Sequence, residues 1–388
     1  MRRRRMLEAA LAVTLLPSCL SRRADRSRSA DALDAFVRAE MRRTHMPGLA
    51  IGVARDGEVR SVRGYGYADV AARRPVDERT EFHLASVTKT VTATSIMQLV
   101  EAGRMTLDEP VAPHLDFPLI DPHHADVPIT ARHLLTHTSG LSDAKYYEID
   151  FRERGRDATL PLDAFLKAYL VPGGRHYSAE QCFSGTAPGT TWDYSNVGFA
   201  LLGYLAGRVG GEDMREQSAR RIFAPLRMRD THWTLAATPA SRSAVPYDVV
   251  DGAPTATEPV GFPDWPAGML RASMADFMRF VAASANGGAA SGVRLLRADT
   301  LAQMLDMRTP AGLPGWLTGQ GLGWMASTLG GRATPNHWGG DPGVFTAVYL
   351  RPEVRTGVAL FSNLTASDDG KAAIKAIAMR LFDAYAPS

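Results

Sequence analysis

Residues 86–101 read SVTKTVTATSIMQLVE, and Lys89 is the only charged side chain between Ser86 and Glu101. The apolar residues of this stretch lie on every side of a predicted helix, which Gly103 is placed to end. A helix that is apolar all round is buried, so Lys89 is predicted to lie in the protein interior. Ser86 and Lys89 stand at i and i+3 on this helix, and their side chains therefore share one face within hydrogen-bonding reach.

Burial gives this lysine an unusual chemistry. A buried ammonium is poorly solvated, so the pKa of Lys89 is predicted to fall from ~10.4 toward neutrality. A neutral amine one helical turn from a hydroxyl is a general base beside a nucleophile. The stretch therefore predicts that Ser86 is a catalytic nucleophile and that Lys89 activates it.

A second serine–lysine pair, Ser142 and Lys145, has the same spacing, so the spacing alone is weak evidence. This copy follows Ser139-Gly140 and contains its own acidic residue, Asp143. Such a polar environment is typical of a solvated loop or helix start, where a lysine stays charged. The environment favours Ser86 as the nucleophile, with Ser142 as the alternative.

The composition is that of an ordinary soluble globular protein, since 45% of the 388 residues are hydrophobic and 22% are charged. No internal stretch reaches the ~20 apolar residues that a membrane span needs. The net charge of +3 comes from residues 1–29, which hold eight arginines against Glu8 and Asp25 and leave the rest of the chain acidic. A nucleic-acid partner, which would need a basic face on the folded domain, is therefore not predicted.

Residues 1–29 are predicted to be an export leader and linker. Arg2–Arg5 form a basic region and Met6–Leu16 a short apolar region, which ends shortly before Cys19. This order is typical of a secretory signal, and Cys19 would be the lipidated residue of a lipoprotein. The pair Arg3-Arg4 also permits a twin-arginine signal. We expect an exported protein, either periplasmic or anchored to the membrane by lipid at Cys19.

Both ends of the remaining chain predict antiparallel hairpins. Residues 49–54 and 58–67 are β-rich and flank the turn Asp56-Gly57. Residues 345–350 and 357–362 repeat this pattern near the C-terminus, before an amphipathic helix. An antiparallel sheet built from the two termini is therefore predicted.

The sequence between the hairpins is mostly helical or loop-like. We expect an α+β fold with a sheet lobe of about residues 30–104 and 271–385 and a helical lobe of about residues 105–270. Residues 30–385 would then be one catalytic domain with its site in the cleft between the lobes.

Three short motifs occur in the order Ser86-x-x-Lys89, Tyr194-x-Asn196 and His337-x-Gly339. This order resembles the motifs of the penicillin-recognising serine hydrolases. Within that superfamily, the motifs resemble those of class C β-lactamases, family VIII carboxylesterases and D-alanyl-D-alanine carboxypeptidases, which use a tyrosine in the second motif. The segment LLTHTSGL at residues 134–141 and GLGW at residues 321–324 also resemble that group. The resemblance extends over about residues 31–385 and implies a β-lactamase/transpeptidase-like fold.

The resemblance implies a role for each motif residue. Ser86 would attack a carbonyl and become acylated, and Lys89 would accept or relay its proton. Tyr194, as a partial phenolate, would share the base role and return a proton to the leaving group. Asn196 would position Lys89 and the substrate.

The third motif implies an oxyanion hole and a substrate preference. The backbone N–H groups of Ser86 and Gly340 would stabilise the oxyanion, and Gly339 belongs to the same edge strand. His337 stands where many β-lactamases have a lysine, and Trp338 where they have Thr or Ser, so two groups that favour an anionic substrate are missing. By strand alternation Trp338 could point away from the cleft, but the hydroxyl is absent either way.

We therefore expect an esterase that acts on uncharged acyl esters through an acyl-enzyme. A D-Ala-D-Ala carboxypeptidase and a weak class C-like β-lactamase are the enzyme alternatives. A non-catalytic protein that binds peptidoglycan or β-lactams is the alternative of another class. The expected partner is a small-molecule ester or a cell-wall peptide.

No cofactor or metal is predicted. His133 and His137 stand at i and i+4 as two metal ligands would, but no acidic or third histidine partner is evident. The chain contains no Gly-x-Ser-x-Gly elbow, so an α/β-hydrolase would lack its nucleophile. Cys182 is the only cysteine after Cys19, and no internal disulfide of the domain is expected.

Overall fold

A computed structural model describes residues 31–386 of the chain, so the predicted leader and its Cys19 lie outside the described residues. The helices are α1 (31–43), α2 (Thr88–Glu101), α3 (Ala131–Leu135), α4 (Ala144–Ile149), α5 (Leu162–Leu170), α6 (Ala179–Cys182), α7 (Asn196–Gly210), α8 (Met214–Ser218), α9 (Trp265–Gly268), α10 (Met274–Ala285), α11 (Ala298–Met304) and α12 (Asp368–Ala384). Short 3-10 turns cover Ala85–Val87, Ala112–His114 and Pro352–Val354, and a π-helical turn covers Ala219–Phe223.

The strands are short in the middle of the chain and long near its two ends. They are β1 (Gly48–Arg55), β2 (Glu58–Asp69), β3 (Arg74–Pro75), β4 (Glu81–His83), β5 (Glu153–Arg154), β6 (Thr231–His232), β7 (Tyr247–Val250), β8 (Ala253–Ala256), β9 (Val260–Gly261), β10 (Arg271–Ser273), β11 (Ala289–Ala290), β12 (Val293–Arg294), β13 (Gly319–Gln320), β14 (Met325–Leu329), β15 (Arg332–Asp341), β16 (Val344–Arg351) and β17 (Thr356–Ser362).

An eight-stranded antiparallel sheet joins the two ends of the chain, in the order β13-β14-β15-β16-β17-β1-β2-β3. The N-terminal β1 lies directly beside the C-terminal β17, with Ile51 opposite Leu360. The predicted α+β architecture with a sheet made from both termini is confirmed. A smaller sheet has the order β4-β10-β6, and its strand β4 ends shortly before Ser86 in the chain.

Strand alternation explains how helices cover both faces of the large sheet. In β1, Ile51 and Val53 face the apolar cluster formed with α1 and α12. The alternating residues Ala50, Gly52 and Ala54 are small, and they face the other side of the sheet, where α10 lies. A Cβ at Gly52 would lie 2.3 Å from Met278 of α10, so only glycine permits this approach. The sheet is thereby buried on both faces at β1.

The described part of the middle region packs around α2. This helix contacts α7 and α9, and nearly all of its residues are buried. Some polar side chains in α2 bond within the helix, as where the Thr94 hydroxyl donates to the Thr90 carbonyl at 2.8 Å, and others bond to neighbouring segments, as where the Thr92 hydroxyl donates to the Pro266 carbonyl at 2.7 Å. The burial predicted for α2 from its sequence is therefore observed. Within the described residues, no helix is both long enough and apolar enough to cross a bilayer.

Candidate active site

Ser86 lies in the 3-10 turn Ala85–Val87 at the entrance to α2. Ala85 has a φ of 45°, a left-handed conformation that turns the chain sharply out of β4 and presents the serine. The edge of β15 packs against this turn, because a Cβ at Gly339 would lie 2.3 Å from the Leu84 carbonyl oxygen and 2.9 Å from the Ser86 nitrogen. Gly339 is therefore required by close backbone approach, which brings the third motif beside the nucleophile.

Lys89 is fully buried, and its amine has three polar neighbours. Nζ lies 3.0 Å from Ser86 Oγ, 2.7 Å from Asn196 Oδ1 and 2.7 Å from the Ala267 carbonyl oxygen. Burial lowers the pKa of Lys89 below that of an exposed lysine, and the carboxylates of Asp264, Asp143 and Asp341 oppose this only in part.

The neighbours of Lys89 can accommodate a neutral amine, the form that burial favours. A neutral amine has two N–H donors and one lone pair, whereas an ammonium has three donors and none. Asn196 Oδ1 and the Ala267 carbonyl can only accept, so they take the two donors. The lone pair is left for the Ser86 hydroxyl, which can donate its proton to Nζ. This is the arrangement of a general base with its nucleophile.

Tyr194 lies on the other side of the serine. Its side chain hydrogen bonds with Ser86, and burial raises the pKa of the Tyr194 phenol above its ordinary value. Lys89 Nζ lies 4.9 Å from the centre of the Tyr194 ring. Burial therefore favours the protonated phenol in the free protein over the predicted partial phenolate. Tyr194 can act as a proton donor, which leaves the base role to Lys89.

His137 fixes Tyr194, and sequence reasoning missed this role. The His137 carbonyl accepts from the Asp193 N–H at 2.7 Å, and its Nδ1 accepts from the Ser195 N–H at 3.1 Å. The rings of His137 and Tyr194 stack with their centres 4.3 Å apart. The residues on both sides of Tyr194 and the ring itself are thus held by one buried histidine. The segment LLTHTSGL was the available signal, but its His137 was considered only as a metal ligand.

Asn196 begins α7, and the second serine–lysine copy holds it in place. Asp143 accepts hydrogen bonds from Ser195 Oγ at 2.9 Å, from the Asn196 N–H at 2.6 Å and from the Val197 N–H at 3.1 Å. A carboxylate at a helix N-terminus satisfies free N–H groups and favours the helix dipole. Asn196 Nδ2 also donates to Tyr147 Oη at 3.1 Å.

The third motif lies on β15 with alternating orientations. His337 is buried beside Lys89, and burial lowers the pKa of His337 to about 3, so its ring is neutral. Its Nδ1–H donates to the Trp338 carbonyl at 2.8 Å. Trp338 points to the opposite face of the sheet, where it stacks on Trp316 with ring centres 5.6 Å apart. Trp338 is therefore a packing residue and does not line the cleft.

A cavity of about 260 Å³ opens onto Ser86, and most of its wall was not predicted from sequence. It is lined by Ser86, Tyr146, Tyr147, Asp150, Arg152, Tyr194, Asn196, Phe262, Ala267, Gly268, Gly340 and Asp341. Gly340 thus faces the same space as Ser86, where backbone N–H groups could stabilise an oxyanion. A larger cavity of about 650 Å³ shares Phe262 with it but contains neither Ser86 nor Lys89.

The described residues contain no group of three His, Cys, Asp or Glu side chains that could hold a metal ion. The pair considered as metal ligands has structural partners instead. His133 accepts at Nδ1 from the Thr130 N–H at 3.4 Å, and His137 supports Tyr194.

The family model described as Beta-lactamase matches residues 33–381, so the chain belongs to the beta-lactamase family. The fold and the Ser86–Lys89–Tyr194 cluster define the class as serine hydrolases related to β-lactamases and penicillin-binding proteins. Esterase EstB of Burkholderia gladioli is 35% identical over 263 residues, covering 65% of this chain and 62% of EstB. Protein flp of Staphylococcus aureus strain MW2 is 23% identical, covering 64% of this chain and 47% of flp.

The chain thus spans less than two thirds of the length of these curated relatives. Among solved structures, the D-amino acid amidase of Ochrobactrum anthropi SV3 is 26% identical, with a TM-score of 0.72 over 92% of this chain and 98% of the amidase. EstCE1, a hydrolase with promiscuous acyltransferase activity, is 21% identical, with a TM-score of 0.73 over 93% of this chain and 99% of EstCE1, which shows the fold alone. The resemblance drawn from the three motifs is confirmed.

Proposed function

We propose that this protein is an esterase that cleaves uncharged acyl esters through an acyl-enzyme on Ser86. The observation that supports the proposal most is the amine of Lys89, whose two acceptor-only neighbours leave its lone pair for the Ser86 hydroxyl at 3.0 Å. The 35% identity with an esterase and the structural similarity to an amidase are consistent with transfer of an acyl group to water.

Acylation begins when Ser86 Oγ attacks the ester carbonyl and its proton moves to Lys89 Nζ. The carbonyl oxygen becomes an oxyanion, which the N–H groups of Ser86 and Gly340 stabilise. When the oxyanion collapses, the C–O bond of the leaving alcohol breaks and Tyr194 donates its phenolic proton to that oxygen. Lys89 then returns a proton to Tyr194. The Ser86 proton has thereby been transferred, in two steps, to the alcohol.

Deacylation repeats this chemistry with water. Lys89 takes a proton from water as the water oxygen attacks the acyl carbonyl, and the Ser86–acyl bond breaks when the second oxyanion collapses. Ser86 Oγ recovers its proton from Lys89, and the free acid leaves. Each group ends in its starting protonation state.

The preference for uncharged esters is supported by the charges around the cavity. His337 is neutral because burial lowers its pKa to about 3, so it offers no permanent cation. Trp338 packs on the far face of β15 and contributes no hydroxyl. Substrates with a carboxylate would therefore gain little from the third motif.

The test combines trapping and turnover. The protein is exposed briefly to a fluorophosphonate, to a penicillin and to p-nitrophenyl butyrate, and each adduct is located and timed by mass spectrometry. We expect a stable phosphonyl adduct on Ser86 and a short-lived butyryl adduct. The β-lactamase or carboxypeptidase alternative would be favoured if kcat/KM for nitrocefin or a D-Ala-D-Ala peptide were at least tenfold higher than kcat/KM for the butyrate. A long-lived penicilloyl adduct without ester turnover would favour the binding protein.

We also propose that the chain is exported, with the leader at residues 1–29 removed or lipidated at Cys19. Mass spectrometry of the mature protein from the membrane and soluble fractions of the native cell tests this. A diacylglyceryl group on Cys19 supports a lipoprotein, cleavage elsewhere in residues 1–29 supports a soluble exported protein, and an intact N-terminus contradicts export.

A further inference from the structure

Three charged side chains line the cavity that holds Ser86, namely Asp150, Arg152 and Asp341. Arg152 is the only lining residue with a permanent positive charge among those described, so it is the group that could attract an anionic substrate. Its Nε donates to Asp150 Oδ1 at 2.5 Å. Its two Nη groups donate to no other residue in the described chain, so they are open to a carboxylate.

Asp341 follows Gly340 at the end of β15, where the strand pairs with Val344 of β16. This pairing places Asp341 one residue from the proposed oxyanion hole. In the described residues no side chain or backbone N–H donates to it. Burial raises the pKa of Asp341 to about 6, and the positive charge of Arg152 opposes this shift. Asp341 is thus ionised at neutral pH and above.

We propose that Asp341 is a specificity-determining residue, which offsets the charge of Arg152 and excludes substrates with a carboxylate near the scissile carbonyl. The inference rests on the proposed esterase function and adds a repulsive element to it. A substrate carboxylate that approached Arg152 would enter the cavity that the carboxylates of Asp150 and Asp341 also line, and like charges in a partly dry cavity repel. A neutral acyl group meets no such penalty. Without Asp341, the free Nη groups of Arg152 could bind the substrate carboxylate in a bidentate manner.

The test uses two esters that differ only in charge, p-nitrophenyl butyrate and the p-nitrophenyl monoester of succinic acid. The readout is the ratio of their kcat/KM values, because a general change in activity cancels in the ratio. We expect the wild-type protein to prefer the butyrate by about tenfold or more at pH 8. Asp341→Asn should lower this ratio at least fivefold through a gain on the succinate ester. Asp126→Asn, an exposed acidic residue outside the cavity, is the matched control and should leave the ratio unchanged.

A second arm assigns the gain to Arg152. The double variant Asp341→Asn/Arg152→Gln should lose the gain on the succinate ester. The wild-type ratio should also fall as the pH decreases through about 6, where Asp341 takes up a proton, while the Asp341→Asn ratio stays flat. Titration of Lys89 alters both esters alike and cancels in the ratio.

The outcomes separate the two proposals. If Ser86 turns over the butyrate but Asp341→Asn leaves the ratio as in the wild type, the role of Asp341 is refuted and the esterase function stands. A gain that persists without Arg152 also refutes it. If the wild-type protein hydrolyses neither ester while a fluorophosphonate still labels Ser86, the esterase function itself fails.

Discussion

Two copies of one spacing, Ser86/Lys89 and Ser142/Lys145, have opposite environments in this protein. Lys89 is fully buried at the start of α2, and its amine lies 3.0 Å from Ser86 Oγ. Lys145 is partly exposed on α4 and donates to Glu148 Oε1 at 2.8 Å. Ser142 Oγ accepts from the Ala144 N–H at 3.2 Å, as in a helix start. A serine–lysine spacing acquires chemistry only where the lysine is desolvated and lacks a carboxylate partner.

The two regions are nevertheless connected. Asp143, between the second serine and lysine, receives three hydrogen bonds from the start of α7. Asn196 begins that helix and accepts from Lys89 Nζ at 2.7 Å. The second copy therefore positions the first through its acidic residue, which the motif itself does not contain. We predict that its Ser142 has no part in the reaction as a nucleophile.

The largest expected effect tests which serine reacts. Ser86→Ala should lower kcat for p-nitrophenyl butyrate by about 10⁴-fold or more, because the acyl-enzyme can no longer form. Ser142→Ala should stay within about twofold of the wild type, since its hydroxyl only supports a helix start. Steady-state kinetics and fluorophosphonate labelling measure both.

Circular dichroism and thermal unfolding of both variants provide the control for folding. Similar losses of activity in the two variants, with both folded, would contradict the assignment of the nucleophile.

The next effect concerns the protonation of Lys89. The rate of acylation should rise with pH through an apparent pKa well below the ~10.4 of a free lysine, because burial lowers the pKa of Lys89. Single-turnover kinetics of p-nitrophenyl butyrate between pH 5 and pH 10 measure this. An acylation rate that rises only near pH ~10 would show that Lys89 is not desolvated.

The same shift predicts how stability depends on pH. The unfolded chain binds a proton at Lys89 more tightly than the folded chain, so burial of this lysine lowers the stability of the fold. This loss of stability is largest below the folded pKa of Lys89 and disappears above ~10.4, where both states are unprotonated. Lys89→Met should lose at least about 10²-fold in kcat and be more stable than the wild type at neutral pH, with a smaller gain near pH 10. Thermal unfolding across this range tests it, and Lys145→Met is the control.

The helices, strands and motif residues of the site could be predicted from the sequence, whereas the residues that hold them in position could not. The isolated charge of Lys89, the burial of α2 and the two terminal hairpins follow from local patterns of polarity, and the structure has all of them. The roles of His137 and Asp143 depend on contacts with Ser195, more than 50 positions away, which no local pattern encodes. The protonation of Tyr194 depends on burial by several segments, which no local pattern encodes.

A smaller effect tests the connection between the two regions. Asp143→Asn replaces an acceptor of three hydrogen bonds by an amide with one oxygen and two donors, so at least one buried N–H or O–H loses its partner. Such a loss costs about 1–3 kcal/mol of stability. We expect kcat to fall about 10- to 100-fold, because Asn196 and with it Lys89 are displaced.

Stability alone would not establish a positioning role, so the apparent pKa of acylation is the second readout. It should shift in Asp143→Asn, because this variant removes a carboxylate near Lys89 and moves the Asn196 oxygen. A variant that is destabilised but has the wild-type kcat and pH profile would show that Asp143 serves the fold alone.

The smallest effect is expected at Lys145 itself. Its ion pair with Glu148 lies on the surface of α4, where water and salt screen the attraction and the side chains must be ordered to form it. Lys145→Ala should therefore change Tm by less than about 2 °C and leave kcat/KM within about twofold. Glu148→Ala, which removes the other member of the pair, should match it. A loss of activity of tenfold or more in Lys145→Ala, with Glu148→Ala unaffected, would mean that Lys145 acts beyond its ion pair. The contrast between a catalytic and a structural serine–lysine copy would then no longer hold.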